Sequence, residues 1–278
     1  MFIFDPLPAP GEDFYLADMK KQEIADYIVH WLRQYSDNSG TKGFVIGISG
    51  GIDSALTSTL CAMTGKATLC LNMPIRQHSA EYERSKEHIH WLSAKFPNVS
   101  SHEVELTEVF TKLEEALPAN IQDWLSMANS RARLRMLTLY TYACHNKLLV
   151  AGTGNKVEDF GVGFFTKYGD GGVDISPIAD LMKSEVYALS VELGIPHSIL
   201  SAKPTDGLWA DGRSDEDQIG ATYDELEWAM RFLEKPRDFS KLSTREEIVL
   251  DIYTRMNAAN KHKMEPIPVC LIPEELKD

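Results

Sequence analysis

The run Phe44-Val45-Ile46-Gly47-Ile48-Ser49-Gly50-Gly51-Ile52-Asp53-Ser54 restricts the possible folds more than any other part of the chain. Its first half is short, apolar and β-branched, the pattern of a strand buried on both faces. Two glycines between serines follow, then an aspartate, then a helical run from Ala55 to Met63. A strand that turns through glycine into a helix gathers free backbone N–H groups at one point, where the helix dipole adds partial positive charge. Gly50 and Gly51 let the backbone approach an anion with no Cβ in the way. The hydroxyls of Ser49 and Ser54 offer further donors. Asp53 would repel a polyphosphate unless a hard divalent cation, Mg²⁺ by preference, lies between them. The corner is neither the Gly-x-x-x-x-Gly-Lys phosphate loop nor the Gly-x-Gly-x-x-Gly dinucleotide turn. A capped strand-to-helix turn would account for two glycines alone, but the serines and the acid shift the reading to a nucleotide site.

Strand and helix alternate through the rest of the chain. Ala67 to Met73, Val104 to Leu106 and Leu148 to Ala151 read as further strands. Asp18 to Tyr35, Ser79 to Lys95, Val109 to Leu117 and Ala128 to His145 read as helices. So do a segment opened by Lys183 and stopped at Gly194, and the segments Tyr223 to Glu234 and Thr244 to His262. The stripe Ile24, Ile28, Trp31, Leu32, Tyr35 is core packing. This order predicts an α/β fold, a parallel sheet flanked by helices on both faces. Ligands in such sheets lie beyond the carboxyl ends of the strands. Ser49 to Ser54 falls at such an end, and so does Arg76. Gly152-Thr153-Gly154-Asn155 marks a third, with Glu158 placed to share the cation with Asp53. With no repeat or linker, residues 1–278 are expected to form a single domain.

Composition removes several classes of function. A net charge of −13 argues against a nucleic-acid surface. No stretch is long and apolar enough for a membrane span, and Met1 to Gly11 lacks a secretory pattern. Cys61, Cys70, Cys144 and Cys270 show no Cys-x-x-Cys pair, and three lie in apolar runs, so buried reduced thiols and a cytoplasmic location are expected. His88 and His90 point about 160° apart on a helix and read as solvated rather than as metal ligands. Arg131, Arg133 and Arg135 make one helix locally basic, able to hold a carboxylate or phosphate. Gly161 to Gly172 contains five glycines around Phe164-Phe165, the composition of a loop that closes over a ligand. Lys203 to Gln218 reads as a second lid.

Ser49-Gly50-Gly51-Ile52-Asp53-Ser54 resembles the Ser-Gly-Gly-x-Asp-Ser loop of the N-type ATP pyrophosphatases. Within that superfamily, Asn129 to Met136, Gly152 to Asn155, Phe164 to Gly172, Lys203-Pro204-Thr205 and His262-Lys263 resemble ammonia-dependent NAD synthetase, in order and over nearly the whole chain. The resemblance implies an adenine nucleotide α-hydrolase-like, Rossmann-like fold and a homodimer. It implies that ATP adenylates the nicotinate carboxylate of deamido-NAD and that ammonia then displaces AMP. ATP would be held by Gly47, Ile48, Ser49, Gly50, Gly51, Ile52, Asp53, Ser54, Thr153, Lys183 and Thr205, with Arg76 added from its strand end. Mg²⁺ would lie on Asp53 and Glu158. Arg133, Lys167, Asp174, His262 and Lys263 match positions that hold deamido-NAD. Asp170 is the candidate base that takes a proton from ammonium, whose charged form has no lone pair for attack. Only about forty residues precede the loop, too few for an amidase domain, so free ammonia is the expected nitrogen source. A tRNA-thiolating relative would need a basic face and paired cysteines, and a sensor without turnover would not need Asp53, Glu158 and Asp170 together.

Overall fold

The computed structural model describes residues 19–77, 79–203, 215–234 and 238–277. Its sheet has four parallel strands in the order β3-β2-β1-β4: β1 (Gly43–Gly47), β2 (Ala67–Asn72), β3 (Val99–Glu103) and β4 (Leu149–Val150). Alternation within the two central strands divides the core. Phe44, Ile46 and Cys70 point to one face, where they pack with α1 (Lys21–Asn38), α2 (Ile52–Met63), α3 (Ser79–Lys95) and α6 (Lys183–Glu192). Val45, Leu69, Leu71 and Val150 point to the other, under α4 (Thr107–Ala116) and α5 (Trp124–Asn146). A third cluster joins a π-helical segment, Lys156–Val162, to α9 (Tyr223–Glu234) and α10 (Thr244–Met264). The short helices α7 (His197–Leu200) and α8 (Asp215–Ile219) lie between.

Several expectations need correction. The third strand is Val99–Glu103 and not Val104 to Leu106. Among the described residues it pairs only with β2, so as an edge strand it needs little apolar content, and Leu106 marks where the chain re-enters the core. On α1 the buried face is Ala25, Ile28, Val29 and Leu32, while Trp31 and Tyr35 are exposed. His88 is fully buried, its Nε2 2.8 Å from Ser58 Oγ. Cys61 and Cys70 are buried, whereas Cys144 and Cys270 are exposed; all four are free thiols. No helix among the described residues is long and apolar enough to cross a membrane.

Candidate active site

Beyond the carboxyl ends of β1, β2 and β4 the chain lines a cleft of about 690 Å³. Its floor is the diglycine corner. Gly50 has φ +86°, and Ser54, 2 % exposed, turns its hydroxyl inward to the Gly51 carbonyl at 3.0 Å and to Ser49 Oγ at 3.0 Å. Ser54 therefore braces the corner instead of facing the cleft. Arg84 of α3 donates to the Gly50 carbonyl at 3.2 Å, and Gln77 to the Ser49 carbonyl at 3.3 Å.

The second strand end meets the first through Asn155. Its side-chain oxygen accepts from the Val157 and Glu158 amides, capping the π-helical segment, and its Nδ2 donates to Asp53 Oδ1 at 3.1 Å. Glu158 is thereby presented to Asp53. Between them lies Lys183, the first residue of α6, only 3 % exposed. Its ammonium donates to Asp53 Oδ2 at 2.7 Å and to Glu158 Oε1 at 2.9 Å. Burial alone would lower the Lys183 pKa, but the two carboxylates overcome it and raise it. Burial pushes Asp53 up, with Lys183 opposing. For Glu158 burial is outweighed by Lys183 and by the Tyr223 hydroxyl, and its pKa falls. Thus a lysine fills the cationic position that the sequence suggested for a divalent ion.

The wall opposite is the glycine-rich loop. It was expected to close over a ligand, yet here it is strapped to two helices. Thr166 donates to Asn129 at 2.6 Å, and Arg133 to the Lys167 carbonyl at 3.3 Å. Lys263 donates to the carbonyls of Gly163 and Phe165 at 2.6 and 2.7 Å, and the Lys167 ammonium to the His262 carbonyl. Phe164 packs into the C-terminal cluster, and Phe165 lines the cleft. Asp170 opens into the cleft and accepts from the Thr166 amide at 2.9 Å; desolvation by the surrounding walls raises its pKa.

The cleft brings together Gly47, Ile48, Ser49, Gly50, Gly51, Ile52, Asp53, Arg133, Thr153, Glu158, Lys167, Asp170, Lys183, His262 and Lys263. Besides Ser54, two expected residues lie outside the cleft. Arg76 turns away to Glu114 at 2.5 Å and Thr111 at 2.8 Å on α4. Asp174 accepts from the Val150 amide at 2.8 Å and from Tyr140 at 3.0 Å, closing the end of β4. Thr205 lies outside the described residues. Sequence reading missed Arg84, Gln77 and Tyr223, isolated residues with no motif around them.

A parallel sheet with this corner and a charged cleft at its carboxyl edge defines an enzyme of the adenine nucleotide α-hydrolase-like class. The family model described as NAD synthase matches residues 24–267. An NH(3)-dependent NAD(+) synthetase of Methanosarcina acetivorans is 35% identical over 259 residues, 90% of this chain and 98% of that protein. Among solved structures, an NMN synthetase from Francisella tularensis is similar with TM-score 0.79 and 32% identity, over 92% of this chain and 99% of that one. An NH3-dependent NAD synthetase from Campylobacter jejuni gives 0.75 and 26%, over 91% and 100%. The chain belongs to the NAD synthase family. Its activity is that of a ligase, the ATP-dependent amidation of deamido-NAD to NAD, the last step of NAD biosynthesis.

Proposed function

We propose that the amide nitrogen comes from free ammonia, that Mg²⁺ accompanies ATP at Asp53 and Glu158, and that residues 1–278 work as one domain in a cytoplasmic homodimer. The observation that carries the metal and ATP part of this reading is the convergence of Asp53, Glu158 and Lys183 on the diglycine corner. The curated relative that matches along 98% of its length is ammonia-dependent by name. Exposed Leu125 and Leu137 on α5 supply apolar surface for a second copy.

The donor set fits Mg²⁺. Asp53 and Glu158 converge on the Lys183 ammonium at 2.7 and 2.9 Å, so Mg²⁺ would bind the same oxygens once that lysine turns to the phosphates. A hard ion of this size is commonly held by one or two carboxylates, with phosphates and water completing its shell. Among the described residues no three His, Cys, Asp or Glu side chains gather at one point, so the protein alone does not supply a full cage. When bound, the ion would neutralise phosphate charge and orient the α-phosphate.

The chain's own groups do the rest. Backbone N–H groups of the corner stabilise the leaving pyrophosphate. Lys183, with Thr153 and Thr205, holds ATP, while Arg133, Lys167, His262 and Lys263 hold deamido-NAD. The nicotinate carboxylate attacks the α-phosphorus, pyrophosphate departs, and the acyl adenylate forms. Asp170 takes a proton from ammonium, and the freed ammonia adds to the acyl carbon and displaces AMP, a second proton passing to the departing phosphate. The Asp170 carboxylate opens into the cleft, within reach of ammonium arriving there.

A second reading, amidation of the acid mononucleotide, is favoured by the similarity to the Francisella NMN synthetase. One assay tests both. The protein receives ATP with either acid substrate, and ammonium or glutamine as sole nitrogen source. We expect AMP, pyrophosphate and NAD from deamido-NAD and ammonium. Formation of ADP, or equal rates with glutamine, would overturn the scheme. A higher kcat/KM for the mononucleotide would establish the second reading.

A further inference from the structure

Helix α9 contributes no residue to the scheme above, yet its first two turns reach the charged cluster at two points. Tyr223 is 5 % exposed, and its hydroxyl donates to Glu158 Oε1 at 2.6 Å. The Lys183 ammonium lies 4.8 Å from the centre of the same ring. One turn on, Glu227 is fully buried and accepts from both the amide and the hydroxyl of Ser184, each at 2.8 Å. Arg231 donates to it as well, at 3.0 Å. Ser184 follows Lys183 in the first turn of α6, so Glu227 fixes the helix end from which that lysine projects, and a negative charge there also suits the dipole.

The helix is itself anchored. Glu225 accepts from the Thr222 amide at 2.9 Å, and Arg245 of α10 grips both its oxygens at 2.7 and 2.6 Å. The Tyr223 amide donates to Glu216 at 2.9 Å. Burying a carboxylate and a phenol hydroxyl is costly unless hydrogen bonds compensate. Here the compensating partners are Glu158, with Asp215 at 3.4 Å, for the hydroxyl, and Ser184 and Arg231 for the carboxylate. Core packing alone would need neither the hydroxyl nor the charge.

We propose that Tyr223 and Glu227 are positioning residues of this site: Tyr223 aims Glu158 and faces the Lys183 ammonium with its ring, and Glu227 sets the end of α6 that carries Lys183. The inference rests on the ATP-dependent reading above. When Lys183 turns toward phosphate, Glu158 Oε1 loses one of its two donors, and the Tyr223 hydroxyl keeps the carboxylate in place.

Tyr223→Phe retains the ring and removes only the hydroxyl. Two measurements on the full chain separate aiming from packing: Mn²⁺ binding in the presence of α,β-methylene-ATP, by paramagnetic resonance titration, and the Mg²⁺ concentration giving half-maximal AMP formation. Both are expected to weaken by about tenfold or more while the thermal midpoint barely moves. Ser184→Ala, which trims one bond to Glu227, is expected to raise the KM for ATP by about threefold or more and to leave the Mg²⁺ requirement alone. Wild-type values in both variants overturn the inference. A wild type that binds no Mn²⁺ overturns the metal assignment and Tyr223's role with it. A wild type that forms no AMP overturns the functional reading itself, which keeps the two failures apart.

Discussion

Lys183 is held between two carboxylates, and each of the three charges is tolerated only because of the others. Truncating the lysine leaves Asp53 and Glu158 facing each other without a counter-charge. Breaking a buried ion pair from one side costs about 3–5 kcal/mol. The two carboxylates are 18% and 17% exposed, so water relieves part of that cost and a loss near the lower end is expected. Lys183→Ala should therefore lower the thermal midpoint as well as abolish AMP formation. Added Mg²⁺ should recover more of that midpoint than it adds to the wild type, because a cation can then take the vacated position. A variant as stable as the wild type, or indifferent to Mg²⁺, would count against the cluster as described. Asp53, Thr153, Lys167 and Asp170 stand inside motifs and Lys183 came from the resemblance alone, and the fold brings all five to the cleft. Arg76 and Asp174 were misplaced because a sequence does not show competing partners: Glu114 claims the arginine, and the Val150 amide and Tyr140 claim the aspartate. Tyr223 was missed for the converse reason, since its partner lies 65 residues away.

The diglycine corner works as an element because α3 lies directly against it. A Cβ at Gly50 would stand 2.5 Å from the Glu81 carbonyl oxygen and 3.2 Å from the Ser85 amide nitrogen, both backbone atoms, at a φ of +86°. Neither neighbour can rotate away. Gly50→Ala is thus expected to cost about 2–4 kcal/mol in unfolding free energy, from backbone strain plus overpacking. It should also raise the KM for ATP, since the corner must open to relieve the clash. Gly154→Ala gives the contrast. Its Cβ would meet the Asp159 carboxylate at 1.9 Å, but that is a side-chain end that can turn aside, so its stability loss should be the smaller. Chemical denaturation of both variants checks the order, and a Gly154 variant that is the less stable would reverse the argument. At this scale the sheet and its central strand were readable from β-branched, doubly buried runs. β3 was not, because an edge strand carries Val-Ser-Ser-His-Glu and gives no apolar signal. Nor was the π-helical segment, whose existence depends on Asn155 bridging two strand ends.

For the whole molecule, acidification sets two effects against each other. The chain carries 41 acidic and 28 basic residues, a net charge of −13, with an isoelectric point near 5.1, so lowering the pH toward 5 relieves self-repulsion. His88 opposes this. With the Ser58 hydroxyl donating to the Ser54 carbonyl at 2.7 Å, His88 Nε2–H donates to Ser58 Oγ, the tautomer that leaves no buried N–H of the ring without an acceptor. Nδ1 is then the bare nitrogen, buried with no hydrogen-bond partner among the described residues, and a second proton there would meet none of them. Burial accordingly lowers the His88 pKa from 6.5 to about 4. Above pH 6.5 both folded and unfolded states hold the ring neutral, and the full contribution to stability is present. Between 6.5 and 4 the unfolded chain takes up the proton and the folded one does not, so stability falls as the pH drops. The loss is complete near pH 4 and amounts to about 3 kcal/mol, from the unit-to-energy conversion of a pKa difference. Net-charge relief acts almost equally on wild type and on a neutral replacement, so the difference between them isolates the histidine. Urea unfolding of wild type and His88→Gln between pH 7.5 and 4.5 should show the wild type losing about 2–3 kcal/mol relative to the variant, most of it below pH 6. A difference that stays flat across that range would mean that the folded protein protonates His88 as readily as the unfolded chain does, and that α3 does not seal the ring beneath the nucleotide corner.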